Sequence, residues 1–193
     1  AHIAGIKVFV TGGIGGAHRK ANETFDVSAD LDELGKTNVT VICAGPKAIL
    51  DLNLTMEYLE TKGVPVIAYH SDYLPAFFTP TSDIKVDYNA QSAKEIAEIV
   101  KAKREYNLNG SVLVCDPVPE EYALDKDYIN HEIDKAIQEM EEQGIKGKDE
   151  TPFLLSKIVS LTNGKSLETN IKLILNNAKL GAEIASEYSK IKG

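Results

Sequence analysis

Short apolar runs alternate with helical patterns along the sequence, and this alternation restricts the chain to α/β folds. The runs are rich in Val and Ile and flanked by Gly or Pro, as buried strands are; they cover residues 6–10, 39–43, 64–69 and 111–115. Helical patterns cover residues 46–61, 92–106, 129–144, 151–164 and 170–191. We predict a three-layer α/β/α domain with a central, largely parallel or mixed sheet and a helical C-terminal third.

The last helical segment carries apolar residues on more than one side, so we expect it to be mostly buried. Its three asparagines then need hydrogen-bond partners, since unpaired amides are costly in apolar surroundings; they are Asn170, Asn176 and Asn177.

Composition excludes several classes of protein. The formal net charge of -8 argues against binding to nucleic acid, and no apolar run approaches the roughly 20 residues that span a bilayer. Cys43 and Cys115 each end an apolar run, and we interpret both as buried, reduced strand residues rather than nucleophiles. With no secretory signal visible, we expect a cytoplasmic protein.

Thr11 and four glycines, at positions 12, 13, 15 and 16, follow the first predicted strand. Such a turn can bring backbone N–H groups close to a phosphate or a sugar phosphate. It fits neither the dinucleotide pattern, which meets His18 where its last glycine belongs, nor the Walker pattern, which needs Gly-Lys-Ser/Thr. His18 and Arg19 favour anion binding, whereas close packing against a neighbouring strand also explains the glycines.

Asp26, Ser28 and Asp30 alternate along the sequence and would project to one side of an extended segment. Two carboxylates and a hydroxyl suit a hard divalent cation such as Mg²⁺ or Mn²⁺. The alternative is that Ser28 or Asp30 caps a helix beginning near Leu31, and we favour capping on residue types alone.

Lys47 follows the second predicted strand, at the edge of an α/β sheet where ligands bind. We expect it in the first turn of the helix over residues 46–61. The helix N-terminus and burial would both favour the neutral amine that attacks a carbonyl carbon and forms a Schiff base. The alternative is an ordinary surface lysine.

Long motifs spread over the chain resemble the pseudouridine-5′-phosphate glycosidase family, also called indigoidine synthase A-like. The motifs lie at residues 4–9, 11–16, 24–31, 37–41, 49–52, 57–61, 74–78, 151–155 and 176–178. The resemblance implies reversible, metal-dependent cleavage of pseudouridine 5′-phosphate to uracil and ribose 5-phosphate, usually with manganese, by a homotrimer. It further implies that Lys47 forms the Schiff base and Asp26 binds the metal. Substrate contacts are implied for Ser28, Ala29, Asp30, Thr11, His18 and Asn170.

Two departures from the family pattern stand out. The family's N-terminal region, which holds a glutamate proton donor, has no counterpart here, so we expect residues 1–193 to be a single α/β domain forming the C-terminal two-thirds of a larger fold. Asp116 stands where we expect Asn in relatives. A non-catalytic sugar-phosphate-binding module is therefore the alternative function. A kinase-like enzyme is a weaker one, since an ATP motif is missing.

Overall fold

The computed structural model describes residues 1–191, apart from the side chain of Lys148. Within this range a five-stranded sheet has the order β1-β2-β5-β3-β4, and every neighbouring pair is parallel. Its strands are β1 (Val8–Val10), β2 (Thr40–Cys43), β3 (Val66–Tyr69), β4 (Tyr88–Ala90) and β5 (Val112–Cys115). The predicted α/β class and the four predicted strands are confirmed. The short edge strand β4 was not predicted.

The helices are α1 (Ala21–Thr24), α2 (Ala29–Lys36), α3 (Leu52–Thr61), α4 (Ala93–Glu105), α5 (Lys126–Glu142), α6 (Glu150–Leu161) and α7 (Lys165–Ile191), with 3-10 turns at Glu120–Tyr122 and Gly147–Asp149. Side chains that accept a hydrogen bond from the first helical turn fix several of the starts. These N-caps are Ser28 for α2, Asp51 for α3, Ser92 for α4 and Asp125 for α5.

Helices cover both faces of the sheet, which gives the predicted three layers. Helices α2 and α3 pack on the face that carries Val41 and Leu113. Helices α4 and α7 pack on the opposite face, against Ile42 and Val114. A third apolar cluster joins α5 and α6 to the loops at the carboxyl ends of the strands. Those loops therefore pack against a buried apolar cluster.

Two predictions about helices were wrong. The helix expected from residue 46 begins at Leu52, because Asp51 accepts a hydrogen bond from Leu54 N (3.0 Å) and caps α3 there. Helix α7 is not mostly buried: one side packs on the sheet through Leu180 and Ile184, while the side chains of Ile171, Ile174 and Leu175 are exposed. Apolar content thus overstated how much of α7 the sheet can cover.

Candidate active site

Two loops at the carboxyl ends of β1 and β2 are joined by backbone hydrogen bonds. We call residues 11–16 the glycine loop and residues 44–51 the Lys47 loop. Ala44 N donates to Gly12 O (2.8 Å), Ile14 N donates to Gly45 O (3.3 Å) and Lys47 N donates to Ile14 O (3.1 Å). The two loops therefore continue the pairing of β1 with β2 beyond the strands and form one unit.

The glycines of the glycine loop serve close packing. A Cβ on Gly13 would lie 2.6 Å from the Phe77 ring, one on Gly15 would lie 2.3 Å from Ser28 Oγ, and one on Gly16 would lie 2.4 Å from Thr55 Oγ1. None of the four has a positive φ. Close packing thus explains these glycines, although against side chains from loops and α3 rather than against a neighbouring strand, and positive φ is not the reason for them.

Asp30 reaches back to the glycine loop. Its Oδ2 accepts a hydrogen bond from Gly15 N (2.8 Å), so this amide does not point free toward a phosphate. Ser28 caps α2, accepting from Asp30 N (3.2 Å), and Ala29 is the first residue of the helix. The capping alternative therefore describes Ser28, and the three alternating side chains of residues 26, 28 and 30 do not form one metal-binding row.

Lys47 lies in the loop between β2 and α3, five residues before the helix starts, and not in a first helical turn. The expected influence of a helix N-terminus on its amine is therefore wrong. Its side chain is half-buried. Among residues 1–191 it forms no ion pair. A lysine held at a sheet edge without a carboxylate partner is suited to react with a carbonyl carbon.

Asp26 forms a cluster with His18 and Glu150. One ligand atom from each of the three half-buried residues lies within 4.8 Å of the other two, and His18 Nδ1 is 3.2 Å from Glu150 Oε2. His18 N donates to Asp26 O (2.9 Å), which fixes two members side by side. One imidazole nitrogen and two carboxylate oxygens form a donor set that can ligate a divalent cation. The cluster is therefore a possible metal site.

Glu150 was missed by the sequence reasoning. It is the first residue of α6 and lies one position before the helical pattern predicted over residues 151–164. No local spacing connects it with His18 or Asp26, since only the packing of α6 beside the loop after β1 brings them together. Arg19, which was grouped with His18 in the sequence, turns to an ion pair with Asp134 instead.

Thr11 and Asn170 both lie at the glycine loop. Thr11 and Asp30 line a groove of about 670 Å³ together with Gly13 and Ile14. Asn170, on α7, has its Oδ1 3.3 Å from where a Cβ on Gly12 would be. The structure thus brings these two predicted substrate residues to the loop that follows β1.

Asp116 lies at the carboxyl end of β5 and is 4% exposed. Its Oδ2 accepts a hydrogen bond from Asn176 Nδ2 (2.8 Å). Burial, with a smaller effect from the charge of Glu183, raises the pKa of Asp116 to about 7. It lines a second groove of about 570 Å³, which also contains His70 and Lys179. Its carboxyl group therefore changes charge near neutral pH.

Residues 1–187 match the family model described as Indigoidine synthase A like protein. The chain belongs to this indigoidine synthase A-like family. Its relatives include pseudouridine-5′-phosphate glycosidases from Petrotoga mobilis, 60% identical over 189 residues, and from Staphylococcus aureus, 59% identical over 191 residues. The alignments cover 98% and 99% of this chain, which spans 62% of the length of each relative. The resemblance noted in the motifs is confirmed.

Two solved structures share the fold. The prealnumycin C-glycosynthase AlnA in complex with ribulose 5-phosphate superposes with a TM-score of 0.92 at 35% identity, covering 98% of this chain and 63% of AlnA. An indigoidine synthase A-like protein from Thermotoga maritima gives 0.87 at 37% identity, covering 95% of this chain and 60% of that protein. Within residues 1–191, no helix is long and apolar enough to cross a membrane.

Proposed function

We propose that the protein is a pseudouridine-5′-phosphate glycosidase that reversibly cleaves the C–C glycosidic bond to give uracil and ribose 5-phosphate, with Lys47 as the nucleophile. The observation that carries the proposal is the position of Lys47, half-buried and bonded through its backbone N to the glycine loop. The names of the Petrotoga mobilis and Staphylococcus aureus relatives, and the sugar phosphate in the AlnA complex, support the same substrate class.

The chemistry needs a nucleophile because uracil leaves through carbon. Lys47 Nζ adds to C1′ as the C1′–O4′ bond opens, and O4′ takes a proton. The nitrogen lone pair then forms C1′=N while the C1′–C5 bond breaks; the electron pair goes to C5 of uracil, which takes a proton from a general acid. Water adds to the imine and releases ribose 5-phosphate and free Lys47.

Other residues of the site would bind and orient the sugar phosphate. Asp30 uses one oxygen for Gly15 N, and its other oxygen would accept a hydrogen bond from a ribose hydroxyl. We further assign substrate contacts to Ser28 and Ala29 at the start of α2, and to Thr11, His18 and Asn170. Because backbone hydrogen bonds join the glycine loop to the Lys47 loop, a sugar bound at the glycine loop would lie close to the Lys47 amine.

We propose Mn²⁺ as the resident cation, held by His18, Asp26 and Glu150. When bound, the cation would supply Lewis-acidic positive charge to the site. We also propose that residues 1–193 form a single domain of the larger family fold and that the protein is a homotrimer. Sedimentation analysis of the protein tests the trimer directly.

The test is conversion of substrate in both directions. The protein is incubated with pseudouridine 5′-phosphate and Mn²⁺ and uracil is measured by chromatography; uracil and ribose 5-phosphate are supplied for the reverse reaction. Uracil release that disappears in Lys47→Arg, which keeps the positive charge but loses the nucleophilic amine, is expected. Binding of ribose 5-phosphate without conversion in either direction would instead support the non-catalytic sugar-phosphate-binding module.

A further inference from the structure

Asn177 connects α7 to the glycine loop. The residue is 0% exposed, and its Nδ2 donates to Thr11 O (2.9 Å) and lies 3.3 Å from Gly12 O as a second acceptor. Two carbonyl oxygens at this end of the side chain require the amino group there, so the orientation of the amide is fixed by chemistry. Asn177 therefore holds the backbone directly after β1.

The amide oxygen of Asn177 indicates that the hydrogen bonds donated by Nδ2 are the reason for an asparagine at this position. Asn177 Oδ1 is buried and has no hydrogen-bond partner among residues 1–191. An unpaired buried acceptor lowers stability, and an apolar side chain of similar size would avoid that cost. A position selected for packing alone would hold such an apolar residue.

Gly12 O links Asn177 to the Lys47 loop. The same carbonyl accepts a hydrogen bond from Ala44 N (2.8 Å), and two residues further Ile14 O accepts from Lys47 N (3.1 Å). Only one peptide carbonyl therefore separates the Asn177 amide from the loop that carries Lys47. A shift of Gly12 O would move both loops together.

The neighbouring residue on α7, Asn176, holds the segment on the other side of β2. Strand β2 lies between β1 and β5 in the sheet, and Asn176 Nδ2 donates to Asp116 Oδ2 (2.8 Å) and Pro117 O (3.2 Å) after β5. Close approach of the helix allows both contacts: a Cβ on Gly181 would lie 2.4 Å from Val10 Cγ2. Two consecutive asparagines thus form hydrogen bonds to the segments that follow β1 and β5, on either side of β2.

We propose that Asn177 is a positioning residue for the Schiff-base step: it fixes the distance between the glycine loop, which holds the sugar, and the Lys47 amine. This role rests on the proposed function. Asn177 acts through Gly12 O and the Lys47 loop and does not itself touch the reacting atoms. Its loss should therefore slow imine formation more than it weakens sugar binding.

The test uses the full natural chain with Asn177→Leu, which keeps side-chain volume and removes the donor, and with Asn177→Ala as a second variant. Thr169→Val is the matched control: Thr169 is 2% exposed on the same helix, and its Oγ1 donates to Tyr122 O (2.8 Å), which is not part of the glycine loop. Ribose 5-phosphate is varied, and adduct on the Lys47 peptide is measured after borohydride reduction. In that reaction the amine and the C1 aldehyde form an imine with loss of water, and hydride adds to C1.

We expect both Asn177 variants to lower the maximal trapping rate about 10- to 100-fold, with little change in the ribose 5-phosphate concentration that gives half the maximum. The control should keep both values even where its unfolding temperature falls. Amide hydrogen exchange at Ala44 and Lys47 should be faster in both Asn177 variants.

Trapping at the parent rate in either Asn177 variant would overturn the positioning role while leaving the proposed function standing. So would an equal loss of rate in Thr169→Val, or unchanged amide exchange at Ala44 and Lys47. If the unmodified protein gives no Lys47 adduct, the proposed function itself fails, and this result is distinct from the others.

Discussion

Replacing Asp116 by Asn should stabilise the protein above neutral pH. Asp116 is 4% exposed and accepts a hydrogen bond from Asn176 Nδ2. An Asn at this position has nearly the same shape, and its amide oxygen can accept the same bond. The substitution therefore removes an ionisable group and leaves the packing and the hydrogen bond in place.

The magnitude follows from the pKa of Asp116, which burial and the Glu183 charge raise from 3.8 to about 7. Because the folded state holds this proton more tightly than the unfolded chain, the free energy of unfolding falls as pH rises between about 4 and about 7, and it is constant above that range. At about 1.4 kcal/mol per unit, the cost of the ionised carboxylate at pH 8 is at most about 4 kcal/mol. Asp116→Asn should therefore raise the free energy of unfolding at pH 8 by most of this amount.

Urea unfolding at several pH values measures the difference. The parent and Asp116→Asn should be about equally stable near pH 4, and the variant should gain over the parent until about pH 7. As a second variant, Glu183→Gln removes the neighbouring charge, so the pKa of Asp116 is raised less and the protein should lose less stability between about pH 4 and about pH 7 than the parent does. A difference between parent and Asp116→Asn that stays constant with pH, or a variant less stable than the parent at pH 8, would refute the reasoning.

Three more substitutions test separate parts of the structure. Lys103→Met should lower the free energy of unfolding by about 2 kcal/mol or more, because the Lys103 amine donates to three backbone carbonyls in the loop after α4; urea unfolding measures this. Gly45→Ala should cost more than Gly63→Ala in the same assay, because both have positive φ but only at Gly45 would the new Cβ meet a carbonyl oxygen, 2.0 Å away, whereas Gly63 has open space. Glu150→Gln should weaken Mn²⁺ binding at least about tenfold in a calorimetric titration, and an unchanged affinity would exclude Glu150 as a ligand.

Much of the fold could be predicted because the inner strands are buried on both faces. The runs around Ile42 and Val114 are apolar throughout, and such runs are typical of parallel strands. Strand β4 has the sequence Tyr-Asn-Ala at the edge of the sheet and carries no such signal. The start of α3 was misplaced because Pro46 suggested a first helical turn, whereas Asp51 supplies the cap that fixes it.

The candidate site was harder to predict from the sequence than the fold was. Local spacing left open a metal-binding row of Asp26, Ser28 and Asp30 beside the favoured capping role, and in the structure Ser28 caps α2, so that Asp30 is already helical. Asp26 instead meets Glu150, which comes from a distant helix. Neighbours in a metal or substrate site are set by the tertiary packing of separate elements, and a one-dimensional pattern records only contacts that are local in the chain.

The role of Lys47 is tested most directly by borohydride reduction of the protein with ribose 5-phosphate, followed by peptide mass spectrometry. Our account predicts a reduced sugar-phosphate adduct on the peptide that contains Lys47, and its absence from Lys47→Arg. A protein that converts pseudouridine 5′-phosphate yet carries no adduct, or carries it on another lysine, would contradict the account.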